Sequence, residues 1–211
     1  MVHSTKPGQI VILNGAPRSG KSSIVTAIQE TFEGLWMNLG VDVFVTQVTP
    51  KRYRPGMGLR PGEDGHSLAP LVPALYAAMY ESIAAHSRAG INVVVDVGHH
   101  DRTVLADSAR RLAGLPVLFV GVRCPIEVIV ERRNAGQPGR EGEYLTASTT
   151  EIPAPILRWQ RDVHIPGIYD FEVDTSVLSP AECAAAIRRR LDEGPLPSAF
   201  RRLAEGEGAE D

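Results

Sequence analysis

The chain has 211 residues, a formal charge of −3 and 43% hydrophobic residues. That length supports one well-buried α/β domain and is short for two, and the slightly acidic balance gives no non-specific hold on DNA, RNA or an anionic membrane. The longest apolar runs, Ile91 to Val95 and Pro116 to Val122, fall far short of the roughly 20 residues of a spanning helix, and no apolar signal segment precedes Gln9, so a cytoplasmic protein is expected.

Met1 to Gly8 is polar, and Gln9 to Asn14 reads as a first strand. Gly15-Ala16-Pro17-Arg18-Ser19-Gly20-Lys21-Ser22 then fits G-x-x-x-x-G-K-[ST] in full, with Ser23 opening the amphipathic stretch of a helix that runs to about Phe32. Leu35 to Asp42 reads as a buried second strand ending on an aspartate. Thr49 to Pro70 is dense in Gly, Pro and charge, which disfavours regular structure, and in a compact domain so long a loop is usually functional. Leu71 to Arg88 has helical spacing and stops at Gly90; Ile91 to Asp96 is a β-branched strand buried on both faces. Asp101 is placed to cap a helix from Arg102 to Ala113, Pro116 to Val122 makes a fourth strand, and a helix from Pro125 breaks at Gly136 to Arg140. Ala154 to Asp162 is a further helix, Tyr169 to Val173 a last strand, and Ser179 caps a helix from Ala181 to Leu191. Cys124 and Cys183 stand far apart in unrelated contexts and read as two small buried hydrophobes, with no disulfide framework or zinc cluster indicated.

Alternating strands and helices imply an α/β fold, a parallel sheet with right-handed crossovers and its ligand at the carboxyl ends of the strands. Residues 1–195 are expected to form a single P-loop kinase domain, with a substrate loop near 49–70, a lid near 133–142, and residues 196–211 as a flexible acidic tail.

The chemistry follows from residue types. Gly15 and Gly20 lack Cβ and let the chain wrap a polyphosphate with its N–H groups inward at the positive end of a helix, so residues 15–23 are nucleotide contacts. Lys21 supplies the charge for the β and γ phosphates, Ser22 a hydroxyl for Mg²⁺, and Asp96 a strand-end acid for the same ion; the alternative for Asp96 is a helix cap or a solvated acid. Asp42, ahead of the long loop, is placed to take the proton of an acceptor hydroxyl, unless it merely caps the next helix. Arg132, Arg133 and Arg140 surround the Gly-Pro break, as arginines of a lid that neutralises transferred phosphate would, with Arg132 and Arg140 the stronger candidates. His99 and His100 are adjacent and lack the i, i+4 spacing of a zinc site; His99 is a candidate for the acceptor pocket. Tyr53, Arg54, Met57, Leu59 and Arg60 are candidate substrate contacts by their place after Asp42.

With these pieces in hand, the chain resembles the chloramphenicol phosphotransferase family of P-loop small-molecule kinases. The resemblance is carried by I-L-N-G-x-x-x-x-G-K-S at Ile12 to Ser22, G-V-D at Gly40 to Asp42, V-G-V-R-C at Val120 to Cys124, Arg132, V-H at Val163 to His164, and E-V-D-T at Glu172 to Thr175. It implies the three-layer α/β/α sandwich of nucleotide and shikimate kinases, with five parallel strands in the order 2-3-1-4-5. It also gives Asp42 the role of base and places Thr175 and Ser176 near adenine. The expected activity is transfer of the γ-phosphate of ATP, with Mg²⁺, to a hydroxyl of an antibiotic- or nucleoside-like small molecule, an antibiotic-resistance type of chemistry. Two other classes stay open: a metabolic or sugar-nucleotide kinase, toxin-like kinases included, and a nucleotide-dependent switch, although the [NT]-K-x-D of guanine-specific switches is absent. The acceptor is the one partner implied, nucleic acid and membrane are not, and homo-oligomerisation is left open.

Overall fold

The computed structural model describes residues 6–53, 69–135, 152 and 154–208. Five strands form one parallel sheet: β1 (Ile10–Asn14), β2 (Trp36–Asn38), β3 (Asn92–Val97), β4 (Val117–Arg123) and β5 (Phe171–Asp174), in the order β2-β3-β1-β4-β5. This is the expected order, and β1 is its centre, pairing β3 on one side and β4 on the other. Successive side chains of a strand point to opposite faces. Accordingly Ile10 and Ile12 join a core with α3 (Val72–Arg88), α4 (Arg102–Arg111) and α8 (Ala199–Ala204), while Val11 and Leu13 join one with α1 (Lys21–Thr31) and α7 (Pro180–Glu193). The apolar runs of β1 and β3 are continuous because both faces are covered. A third, smaller cluster of Ala16, Cys124, Ile129, Trp159 and Val163 lies where the phosphate loop meets α5 (Ile126–Asn134) and α6 (Ala154–Asp162).

Two expectations are corrected. The second strand does not reach Asp42. It ends at Asn38, whose Oδ1 accepts the N–H of Gly40 at 2.9 Å, and Asp42 sits in α2 (Val41–Val43), which continues as a π-helical turn over Phe44–Val48. Val41, Phe44 and Val45 pack partly buried on the α3 side of the core, and that burial turns a β-branched segment helical.

Nor do residues 196–208 form a tail. Asp170 places one carboxylate oxygen on the N–H of Phe119 (2.9 Å) and the other on the N–H groups of Ser198 (2.6 Å) and Ala199 (2.9 Å), so a residue entering β5 caps α8. Ala199, Phe200 and Leu203 are buried there, and Phe200 meets the ring of Phe119 edge-on at 4.9 Å between centroids. Phe200→Ala is expected to cost about 3–5 kcal/mol. Thermal denaturation checks this; an unchanged midpoint would mean that α8 is not part of the cooperative core.

Candidate active site

The phosphate loop follows β1 directly. A Cβ on Gly15 would stand 2.6 Å from the carbonyl oxygen of Val122 and 2.9 Å from Ser19 Oγ, which only glycine avoids. Arg18 (φ 69°) and Gly20 (φ 93°) both take left-handed conformations and curl the loop into the start of α1, where unpaired N–H groups favour an anion. Ala16 and Ser19 are buried in the loop wall, Pro17 and Arg18 are half-buried, and Ser23 is exposed on α1. Lys21 Nζ donates to the carbonyl oxygens of Gly15 and Ala16, each at 2.8 Å. Burial pulls its pKa down to about 8, against the opposing charges of Asp96 and Asp42.

Asp96 pairs in register with Leu13 and so stands beside the loop. Ser22 Oγ donates to Asp96 Oδ2 at 2.7 Å. A hydroxyl and a carboxylate are hard oxygen donors, and Mg²⁺ is usually held by one or two such protein oxygens together with phosphate, so this pair fits the ion. The Gly-Val-Asp glycine has its reason here: a Cβ on Gly40 would lie 1.8 Å from Asp96 Oδ1. Gly40→Ala should therefore displace Asp96 and raise the Mg²⁺ needed for half-maximal activity by about tenfold or more. A metal titration of the variant reads this directly, and a wild-type curve would remove Asp96 from the metal site.

Asp42 is exposed, in the first turn of α2. Its charge acts on Lys21 and on Tyr76, whose hydroxyl is pushed well up by burial first and by Asp42 second, and so stays protonated. The candidate base thus lies within electrostatic reach of the loop lysine.

His99, a candidate for the acceptor pocket, is buried against two tyrosines. It is 2% exposed; its Nε2 meets Tyr80 Oη at 2.7 Å, and its ring lies against Tyr76 and Tyr80. His100 is half-buried, with its ring 5.4 Å from that of Trp159. Burial, and secondarily the neighbouring His100, lower the pKa of His99 from 6.5 to about 3. The unfolded chain takes up a proton near 6.5 that the folded one refuses, so stability is whole above that pH and falls as pH drops toward about 3. The slope is at most about 1.4 kcal/mol per pH unit. Urea midpoints at neutral pH and near pH 5 should differ, and His99→Gln should shrink the difference; an equal difference in the variant would assign the acid loss elsewhere.

Arg132 binds the loop after β5 and the phosphate loop beside Gly20. Its guanidinium donates to Thr175 O (2.6 Å), Thr175 Oγ1 (3.0 Å), Arg18 O (3.4 Å) and Cys124 Sγ (3.4 Å), and Thr175 Oγ1 donates to Ser19 O at 2.7 Å. The loop after β5, the phosphate loop and α5 are thereby joined. Ser176 turns outward onto Asp174 Oδ1. Arg133 is half-buried, its pKa lowered by burial and by the like charge of Arg18. Tyr53 is exposed beneath the Arg52 guanidinium. Arg54, Met57, Leu59, Arg60 and Arg140, and with them most of the expected substrate loop and lid, lie outside the described residues. Sequence reasoning missed that Asn14 bonds the segments of His99 and Val163, that Gly40 abuts Asp96 and that Trp159 packs on Gly98. A polar residue closing an apolar strand was the one local signal for Asn14.

Among the described residues no helix is long and apolar enough to cross a membrane. A provisionally named O-phosphotransferase of Mycobacterium tuberculosis is 29% identical over 210 residues, covering 93% of this chain and 88% of its own. Among solved structures, a sugar kinase from Janibacter sp. matches with a TM-score of 0.60 at 20% identity, covering 90% of this chain and 97% of its own. The APS kinase of Mycobacterium tuberculosis, solved with AMPPNP and APS, matches with a TM-score of 0.61 at 16% identity, covering 89% and 99%. At these identities the solved structures speak for the fold, that of P-loop kinases. The model of the chloramphenicol phosphotransferase-like proteins matches residues 8–192. Together with the relative and the kinase fold, this makes the chain a phosphotransferase of the kinase class that belongs to the chloramphenicol phosphotransferase-like family.

Proposed function

We propose that the protein transfers the γ-phosphate of ATP to a hydroxyl group of a small molecule of antibiotic or nucleoside type, in the cytoplasm. The observation that carries this reading is the Ser22–Asp96 contact of 2.7 Å beside Lys21, with the Asp42 carboxylate acting on the same ammonium group. Lys21 leaves its two loop carbonyls for the β and γ phosphates, which backbone N–H groups at the start of α1 cradle. Ser22 and Asp96 would hold Mg²⁺, which supplies charge neutralisation on the phosphate oxygens. Arg132 and Thr175 border the base. Asp42 takes the acceptor's hydroxyl proton as that oxygen bonds to the γ-phosphorus and the bond from the γ-phosphorus to the bridging oxygen breaks, leaving ADP.

A purpose for Asp42 favours transfer over a switch: a nucleotide switch has no use for a carboxylate ahead of an acceptor loop. The test is an ATP-consumption screen over hydroxylated antibiotics, nucleosides and sugars, with mass spectrometry of the products. One class should stimulate ADP release and gain a phosphoryl group. Basal hydrolysis that no acceptor stimulates would overturn the proposal in favour of the switch.

A further inference from the structure

The Asn of Ile-Leu-Asn-Gly and the Val163-His164 pair take no part in the transfer chemistry, yet they meet. Asn14 closes β1 and is 1% exposed. Its Oδ1 accepts the backbone N–H of His99 at 2.8 Å, and its Nδ2 donates to the carbonyl oxygen of Val163 and to Tyr169 Oη, each at 2.8 Å. Tyr169 Oη in turn meets His164 Nδ1 at 2.9 Å. The partners fix the amide's orientation, because a backbone N–H needs the oxygen and a carbonyl needs the nitrogen.

The residue type follows from this demand. One acceptance and two donations are required of one short, buried side chain; an ionised carboxylate cannot donate, and a hydroxyl has a single proton. The three partners belong to three separate parts of the site. His99 lies three residues beyond Asp96, in the turn where Gly98 is so close that its Cβ would meet the Trp159 ring at 3.2 Å and the Gly15 carbonyl at 3.3 Å. Val163 follows the last residue of α6, and Tyr169 leads into β5. Gly15, the next residue in the chain, opens the phosphate loop.

We propose that Asn14 is the positioning residue that holds the phosphate loop, the turn after the Asp96 strand and the carboxyl end of α6 in one register, keeping Lys21 and the Ser22–Asp96 pair aligned with the acceptor. This rests on the phosphoryl-transfer reading above. Loosening Asn14 removes no reacting group and leaves the phosphate cradle able to bind nucleotide. Alignment is lost, and with it the rate.

Asn14→Asp keeps the size and the oxygen for His99 but loses both donors, and it turns an oxygen toward the Val163 carbonyl. Tyr169→Phe removes Asn14's third bond, and with it the His164 contact, while leaving both backbone bonds of Asn14 in place. For Asn14→Asp the expected result is a fall in kcat of about 10–100-fold with KM for ATP within about threefold of wild type. Amide exchange should quicken both around residues 98–100 and around 159–164. Lowering the pH from about 8 to about 6 should recover part of the rate, because the protonated carboxyl regains an O–H donor. Tyr169→Phe should lose less than about fivefold. The proposal is overturned by a wild-type kcat in folded Asn14→Asp, or by exchange that quickens in one segment only. Should Asn14→Asp fail to fold, Asn14→Ser carries the same measurements without a buried charge. If the wild-type protein phosphorylates no acceptor, the kinase reading fails while the exchange result still decides the role of Asn14.

Discussion

Asp42→Asn is expected to lower the single-turnover rate of phosphoryl transfer by about 10²–10⁴-fold, the usual range for a group that moves a proton in the transition state. Nucleotide affinity should stay near that of wild type, because Asp42 sits in the first turn of α2, outside the loop that cradles phosphate. The amide keeps the side chain's size and removes its charge and basicity. It also removes one of the two negative charges that hold up the pKa of Lys21, so the comparison belongs at a pH well below 8, where that lysine is charged in both proteins. Single-turnover rates are the proper readout, since product release can mask a change in chemistry. Transfer at the wild-type rate would leave Asp42 a helix-start acid and send the search for a base to His100 or to the substrate itself.

Lys21→Ala should abolish most transfer, by about 10²–10³-fold or more, since it deletes a preorganised positive charge from the phosphates. Unlike Asp42→Asn, it should weaken nucleotide binding as well. The loop itself should persist despite losing the two bonds from Lys21 to its carbonyls, because Gly15 shapes it by steric fit and Gly20 by left-handed geometry. A second signature comes from the depressed pKa of about 8. Phosphate next to the ammonium raises that pKa, so ATP binding should take up protons near pH 8, and the uptake should vanish in Lys21→Ala. Calorimetry in buffers of different ionisation enthalpy measures it. Wild-type turnover of Mg·ATP by a folded Lys21→Ala protein would sink the nucleotide site.

The phosphate loop was legible in the residues themselves, because its geometry depends on glycine at two fixed positions and a lysine and a hydroxyl at the next two. Helix starts were legible for the same local reason. Asp101 accepts the N–H groups of Thr103 and Val104, and Ser179 forms a reciprocal capping box with Glu182, interactions that span three residues and are written in the sequence at that spacing. The continuous apolar runs of β1 and β3 likewise announced a sheet covered on both faces.

What the tertiary structure decided is everything set by partners far apart in the chain. Whether Asp42 ended a strand or began a helix depended on where β2 stops pairing with β3 and on the burial of Phe44 and Val45 against α3. Which of two adjacent histidines entered the core depended on Tyr80, 19 residues away. That the guanidinium of Arg132 is held by Thr175, 43 residues on, was likewise set by the fold. The last helix, only six residues long, had too little periodicity to stand out from the acidic segment that follows; it is fixed by Asp170 and by rings from β4 and α3. Spacing along a chain reports contacts within a turn or a strand. The packing of one distant segment on another is chosen by burial and by which polar groups are left to satisfy, and these become known only when the chain is folded.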